Sequence, residues 1–243
     1  MSHREPQPTS TDAHAFERLE PRTMLAVDLP ADGILRITGT RKADTIFVTY
    51  GPDALDTIFV RVNKEQFAFG TDEVSGIRIQ AGALNDRVAF RAFATNTERF
   101  DKPTTVYGST GDDLIIGGGS SNRIYGGTGN DRINAGFSRD TVYGEEGADT
   151  IDGGQGNDFL SGGLDNDRIT GGLGIDRMFG DEGRDTFIAS NDLPEVREFP
   201  FAPFNPVERQ STFDFIDGGA GRDRAAADNL DHLVSIEERF INR

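Results

Sequence analysis

The sequence predicts an all-β protein, a parallel β-solenoid, and three observations carry that prediction. Glycine is concentrated: residues 108–188 hold 21 of the 30 glycines and no proline. The same third of the chain divides without insertion into nine nonads, GSTGDDLII, GGGSSNRIY, GGTGNDRIN, AGFSRDTVY, GEEGADTID, GGQGNDFLS, GGLDNDRIT, GGLGIDRMF and GDEGRDTFI. Their sixth place reads Asp113, Asn122, Asp131, Asp140, Asp149, Asp158, Asp167, Asp176 and Asp185, and their eighth is apolar from Ile115 to Phe187. Self-similarity at a short fixed period is the signature of stacked repeats.

Each place in the nonad has a physical reason. Glycine holds the first place in all but one nonad, Ala135 being the exception, and six of nine at both the second and the fourth. Such residues, among them Gly127, Gly129, Gly154, Gly156, Gly172 and Gly174, permit positive φ and let backbone carbonyls crowd toward a common point. Places seven to nine make a short strand whose middle side chain points inward. A turn of six and a strand of three, repeated, is a β-solenoid.

The pattern is similar to the G-G-x-G-x-D-x-U-x nonapeptide of the RTX (repeat-in-toxin) family, the hemolysin-type calcium-binding repeats whose parallel β-roll binds calcium between stacked turns. The resemblance implies that two nonads make one 18-residue turn, so that alternate sixth-place residues line opposite flanks. One flank then holds Asp113, Asp131, Asp149, Asp167 and Asp185, the other Asn122, Asp140, Asp158 and Asp176. It implies a calcium ion between successive members of each flank, held by the aspartates and turn carbonyls, with Asn122/Asp140 the weakest position for lack of a charge. The pattern resumes after residues 189–208 as RQSTFDFID and GGAGRDRAA, which add Asp214 and Asp223 and raise the count from seven positions to nine.

Residue chemistry also selects calcium. Carboxylate and carbonyl oxygens with no Cys or His among them suit a hard cation, and a flexible multi-layer cage suits calcium better than magnesium. Successive carboxylates of one flank are expected about 4.8 Å apart, where unit charges repel by roughly 1 kcal/mol even in water. Binding would therefore supply folding free energy, and residues 108–226 are expected to fold only with calcium. The net charge of −16 argues against nucleic acid as a partner, because that affinity rests on Lys and Arg neutralising phosphates. No apolar run approaches a membrane span, and the absence of cysteine removes disulfides.

The flanking segments read as follows. Residues 1–33 form an N-terminal segment, disordered at its start, in which LEPRTML at 19–25 looks like the LEPR-XLL motif that accompanies export in bacterial surface and secreted proteins. Residues 34–107 read as short strands continuing or capping the stack. Asp86 sits at a sixth place there, but counting in eighteens makes its successors Thr104 and Asn122, so those layers are expected to be metal-free. Residues 189–208 are an inserted loop rich in Phe and Pro; residues 209–243 hold the final repeats and a C-terminal cap.

Tyr107, Tyr125, Tyr143 and Phe179, with Phe159 beside Ser161, are expected to form an outward aromatic stripe, either a stacking ladder or a platform for a glycan or surface protein. No HExxH or GxSxG motif occurs. The reading is a non-enzymatic, extracellular or cell-surface calcium-binding protein with a structural or adhesive role. The alternative is a secreted lyase- or epimerase-like enzyme acting on polysaccharides, or its accessory module.

Overall fold

The computed structural model describes residues 25–50, 57–91, 102–189, 214–226 and 232–240. The LEPRTML motif up to residue 24, the aromatic residues of the 189–208 insertion and the last three residues lie outside them. All regular structure among the described residues is β-strand, arranged in two sheets of eleven strands.

Nonads alternate between the sheets, so neighbours in one sheet are 18 residues apart. In the first sheet Thr104–Thr110, Asn122–Thr128, Thr141–Glu146, Phe159–Leu164 and Arg177–Gly183 pair in parallel, with Val106, Ile124, Val142, Leu160 and Met178 in register. In the second, Leu114–Ile116, Arg132–Asn134, Thr150–Gln155, Arg168–Leu173 and Thr186–Ile188 align Ile115, Ile133, Ile151, Ile169 and Phe187. All ten of these side chains are fully buried. The chain is a parallel β-roll whose interior is two facing files of apolar residues, one from each sheet, as alternation along a strand requires.

The insertion does not disturb the stack. Phe215–Asp217 lies on Arg177–Gly183 with Ile216 opposite Met178, and Arg224–Ala226 lies on Thr186–Ile188 with Ala225 opposite Phe187. These steps are 38 residues, the regular 18 plus the 20 of the loop.

Upstream the core is denser and the pairing changes. Ile34–Thr38 and Gly76–Ala83 continue the first sheet in parallel. Thr45–Tyr50 and Arg87–Arg91 continue the second. Beyond them Ala26–Asp28 folds back antiparallel on the first sheet, and Thr57–Val62 and Glu65–Gly70 form an antiparallel meander on the second. Thr45–Tyr50 buries Ile46, Val48 and Tyr50, and Thr57–Val62 buries Ile58, Val60 and Val62, three apolar side chains per strand where the roll buries one. Exposed charge at Glu65 on the last strand keeps that edge from templating another chain.

The aromatic stripe is a ladder. Tyr107, Tyr125, Tyr143, Phe159, Phe179 and Phe215 follow one another with ring centroids 4.9 to 5.8 Å apart, and His232 adds a seventh ring 5.4 Å from Phe215. The Tyr107 and Tyr125 rings are parallel to within 4°, so their faces are turned to each other. That geometry favours layer-to-layer stacking over a platform offering free ring faces.

Candidate metal centre

Turns and strands together place the sixth residue of every nonad at a corner of the roll. There its side chain turns inward, and where it is aspartate its Oδ1 accepts the backbone N–H of the equivalent residue one layer upstream; at Asn122 the Oδ1 is instead buried with no partner. On the first flank the bonds run from Asp113 N to Asp131, Asp131 N to Asp149, Asp149 N to Asp167, Asp167 N to Asp185 and Asp185 N to Asp223, all 2.7–2.8 Å. On the second they run from Asn122 N to Asp140, Asp140 N to Asp158, Asp158 N to Asp176 and Asp176 N to Asp214, at 2.7–2.9 Å. The flank assignment expected from the repeat is the one observed.

One oxygen of each carboxylate is thus satisfied and the other is not. The Oδ2 atoms of Asp113, Asp131, Asp140, Asp149, Asp158, Asp167, Asp176, Asp185 and Asp223 are buried with no hydrogen-bond partner. Buried polar atoms are almost always paired, and a file of unpartnered carboxylate oxygens is a donor set suited to cations. The surroundings fit a cation. A methyl group on Gly153 would sit 2.5 Å from Gly171 O and 2.7 Å from Asp158 Oδ2, so a carboxylate oxygen and the next layer's carbonyl converge on the glycine's open side. Gly108, Gly126, Gly144 and Gly180 repeat that convergence. Among the described residues no three His, Cys, Asp or Glu side chains gather at one point, so a cation here draws its remaining ligands from backbone carbonyls.

The sites require the turn backbone they have. Gly127, Gly154 and Gly172 at the second place and Gly129, Gly156 and Gly174 at the fourth all have positive φ. Each also passes so close to the preceding layer's carbonyl that a side chain would collide with it. Where glycine is replaced, Glu145, Asp181, Ser138 and Asp165 still hold φ between 69° and 80°. The fold imposes left-handed backbone there despite its steric cost.

Electrostatics points the same way. Burial, reinforced by like charge along the ladder, pushes Asp140, Asp158 and Asp167 up to about 8. Asp131 and Asp149 rise to about 7, chiefly by burial, and Asp113, Asp176 and Asp185 to about 6. A carboxyl that holds its proton more tightly in the folded chain favours folding while protonated. That contribution is complete below about pH 4 and is lost as pH rises through the folded values. In EGTA the chain is therefore expected to show more β-structure by far-ultraviolet circular dichroism at pH 5 than at pH 8. With calcium the trend reverses, because protons compete with the cation for the same oxygens. A metal-free fold that strengthens toward pH 8 would contradict the assignment.

One expectation is corrected by the geometry. Asp86 does not belong with Thr104 and Asn122: its N–H donates to Asp113 Oδ1 at 2.7 Å, and Val88 pairs with Ile115. The step here is 27 residues, nine more than the regular 18, so counting in eighteens misplaced it. Asn122, expected to be the weakest position, differs from the aspartates in carrying donors. Its amide nitrogen donates to Ser120 O at 2.8 Å, Ala135 O at 2.9 Å and Asp140 Oδ1 at 3.0 Å, which occupies two turn carbonyls, while its own Oδ1 and Asp140 Oδ2 stay buried without a partner. Asn122→Asp is expected to convert this position into one further calcium site, read as one additional bound ion by native mass spectrometry. An unchanged ion count would show that the amide is not what weakens it.

Comparison with known proteins agrees with the geometry. The RTX calcium-binding nonapeptide repeat matches in four copies, over residues 104–133, 125–160, 161–192 and 212–229. No curated protein and no solved structure matches. The chain carries RTX repeats through its glycine-rich third and again beyond the 189–208 insertion, and calcium binding follows from them.

Proposed function

We propose that this RTX-repeat chain is a calcium-dependent structural module that works outside the cell, in secreted form or at the bacterial surface, and that calcium completes its fold after export. The observation that carries the reading is the double file of buried, half-satisfied carboxylates. Inside a cell at low free calcium these charges oppose folding; at the millimolar levels typical of extracellular modules they are bridged. No helix among the described residues is long and apolar enough to cross a membrane.

Spaces between successive carboxylates supply the sites: Asp113/Asp131, Asp131/Asp149, Asp149/Asp167, Asp167/Asp185 and Asp185/Asp223 on one flank, Asp140/Asp158, Asp158/Asp176 and Asp176/Asp214 on the other. Asp113, Asp131, Asp140, Asp149, Asp158, Asp167, Asp176, Asp185, Asp214 and Asp223 supply the charge, and turn carbonyls supply the rest. About eight divalent ions would balance the formal charge of −16. Bound, the cation contributes neutralisation and bridging between layers. The apolar files set the layer spacing, and the left-handed turns aim the carbonyls.

The role is mechanical or adhesive, with a glycan or another surface protein as partner. Calcium titration calorimetry with native mass spectrometry tests the calcium reading: it expects about eight ions bound as β-structure appears. A compact, cooperatively folded chain in EGTA that binds no calcium would end it.

A further inference from the structure

The first ladder does not begin with the matched repeats. Asp86 is 3% exposed; its Oδ1 accepts Asp44 N–H at 2.6 Å, its own N–H reaches Asp113 at 2.7 Å, and its Oδ2 has no partner. Those are the bonds and the unpartnered oxygen that Asp113, Asp131, Asp149, Asp167 and Asp185 show.

The turn around it has the same backbone although its sequence, AGALND, has glycine at only one of the three usual places. Gly82 (φ 124°) and Leu84 (φ 68°) occupy the second and fourth places, and the turn above holds positive φ at the same two, Ser109 (90°) and Gly111 (123°). Leu84 is a large aliphatic residue in left-handed backbone with its side chain 57% exposed, so packing of that side chain does not explain the conformation. What the conformation does is set the Leu84 carbonyl against Gly111 of the next layer.

One layer further out the pattern stops. Asp44 has both oxygens satisfied, Oδ1 by Asn63 Nδ2 at 2.6 Å and Oδ2 by Thr40 N at 2.5 Å. Neither Thr40 nor Lys42, at the second and fourth places of that turn, has positive φ. The ladder thus changes from closed to open between Asp44 and Asp86.

We propose that residues 81–86 and 108–113 hold a further divalent cation of the calcium class, with Asp86 Oδ2 as its charged ligand. It lies upstream of the repeats that the family comparison matches. The site rests on the calcium reading above and extends it: it ties the apolar N-terminal layers to the first layer of the roll, while Asn63 ends the file with an amide in place of an ion.

Crystals of the full chain grown with terbium in place of calcium locate the ions directly. An anomalous peak beside Asp86 Oδ2, between the two turns, is the expected result. Peaks along the roll but none at Asp86 would overturn this site and leave the calcium reading standing, with Asp86 then a neutral, protonated acid. No peaks anywhere would remove the calcium reading itself. In solution, Asp86→Asn is expected to bind one ion fewer by native mass spectrometry and to leave the remaining sites loaded; an unchanged count is the contrary result.

Discussion

Chelation of calcium is expected to unfold residues 102–226 and to spare residues 25–91. The two regions share one stack but not one source of stability. The inner upstream strands, Ile34–Thr38, Thr45–Tyr50, Thr57–Val62, Gly76–Ala83 and Arg87–Arg91, bury two or three apolar side chains each, and buried carboxylates are fewer there, Asp44 being fully hydrogen-bonded. The roll buries one apolar side chain per nonad, about 1.5–3 kcal/mol, against the ordering of nine glycine-rich residues at roughly 1–2 kcal/mol each. Its carboxylates are placed one layer apart with unsatisfied oxygens. Hydrogen exchange read by mass spectrometry is the measurement. In EGTA, peptides from residues 25–91 should keep their protection and peptides from 102–189 should lose it. Protection of the roll that survives chelation would mean that apolar packing alone holds it.

Ile151→Ala is expected to cost about 2–5 kcal/mol, because Ile151 is fully buried between Ile133 and Ile169 and its neighbours are fixed by the ladder. In a calcium-coupled fold that cost appears as a shift in the calcium midpoint, and its size depends on how many ions load together. With about eight ions in one cooperative step, the midpoint rises only about 1.5- to 3-fold, since each 1.4 kcal/mol is shared among the ions. If the layers fold locally with about two ions, as a quasi-one-dimensional stack permits, the rise is about 5- to 60-fold. A midpoint unmoved within error would show that the apolar file does not contribute to the calcium-dependent state.

The roll and its two flanks were legible because the nonad marks itself at three places at once. Asp at the sixth, an apolar residue at the eighth and glycine before them fix phase, sheet and corner together, and the phase survives a 20-residue insertion because RQSTFDFID restores all the cues but glycine. Asp86 was legible as a sixth-place residue but not as a member of the first flank. Its partner depends on the length of the step to the next layer, 27 residues here and 18 in the roll, and no residue type records that number. Asn122 was read as a ligand short of one charge. Its two N–H donors, which satisfy oxygens that a carboxylate would repel, become visible only once Ser120 O, Ala135 O and Asp140 are seen around it. The antiparallel cap was hidden for a similar reason: TIFV occurs at both 45–48 and 57–60, and strand composition does not state direction.

The alternation of nonads between sheets sets a rule for how such a gene can lengthen. Duplicating two repeats adds a storey and leaves every downstream side chain on its own wall. Duplicating a single repeat exchanges the walls for everything that follows, breaking up a ring file that exists on only one of them. Odd copies are then tolerated only where they bulge out of the stack, so descendants of this architecture should grow by even numbers of repeats, with unpaired ones found as excursions.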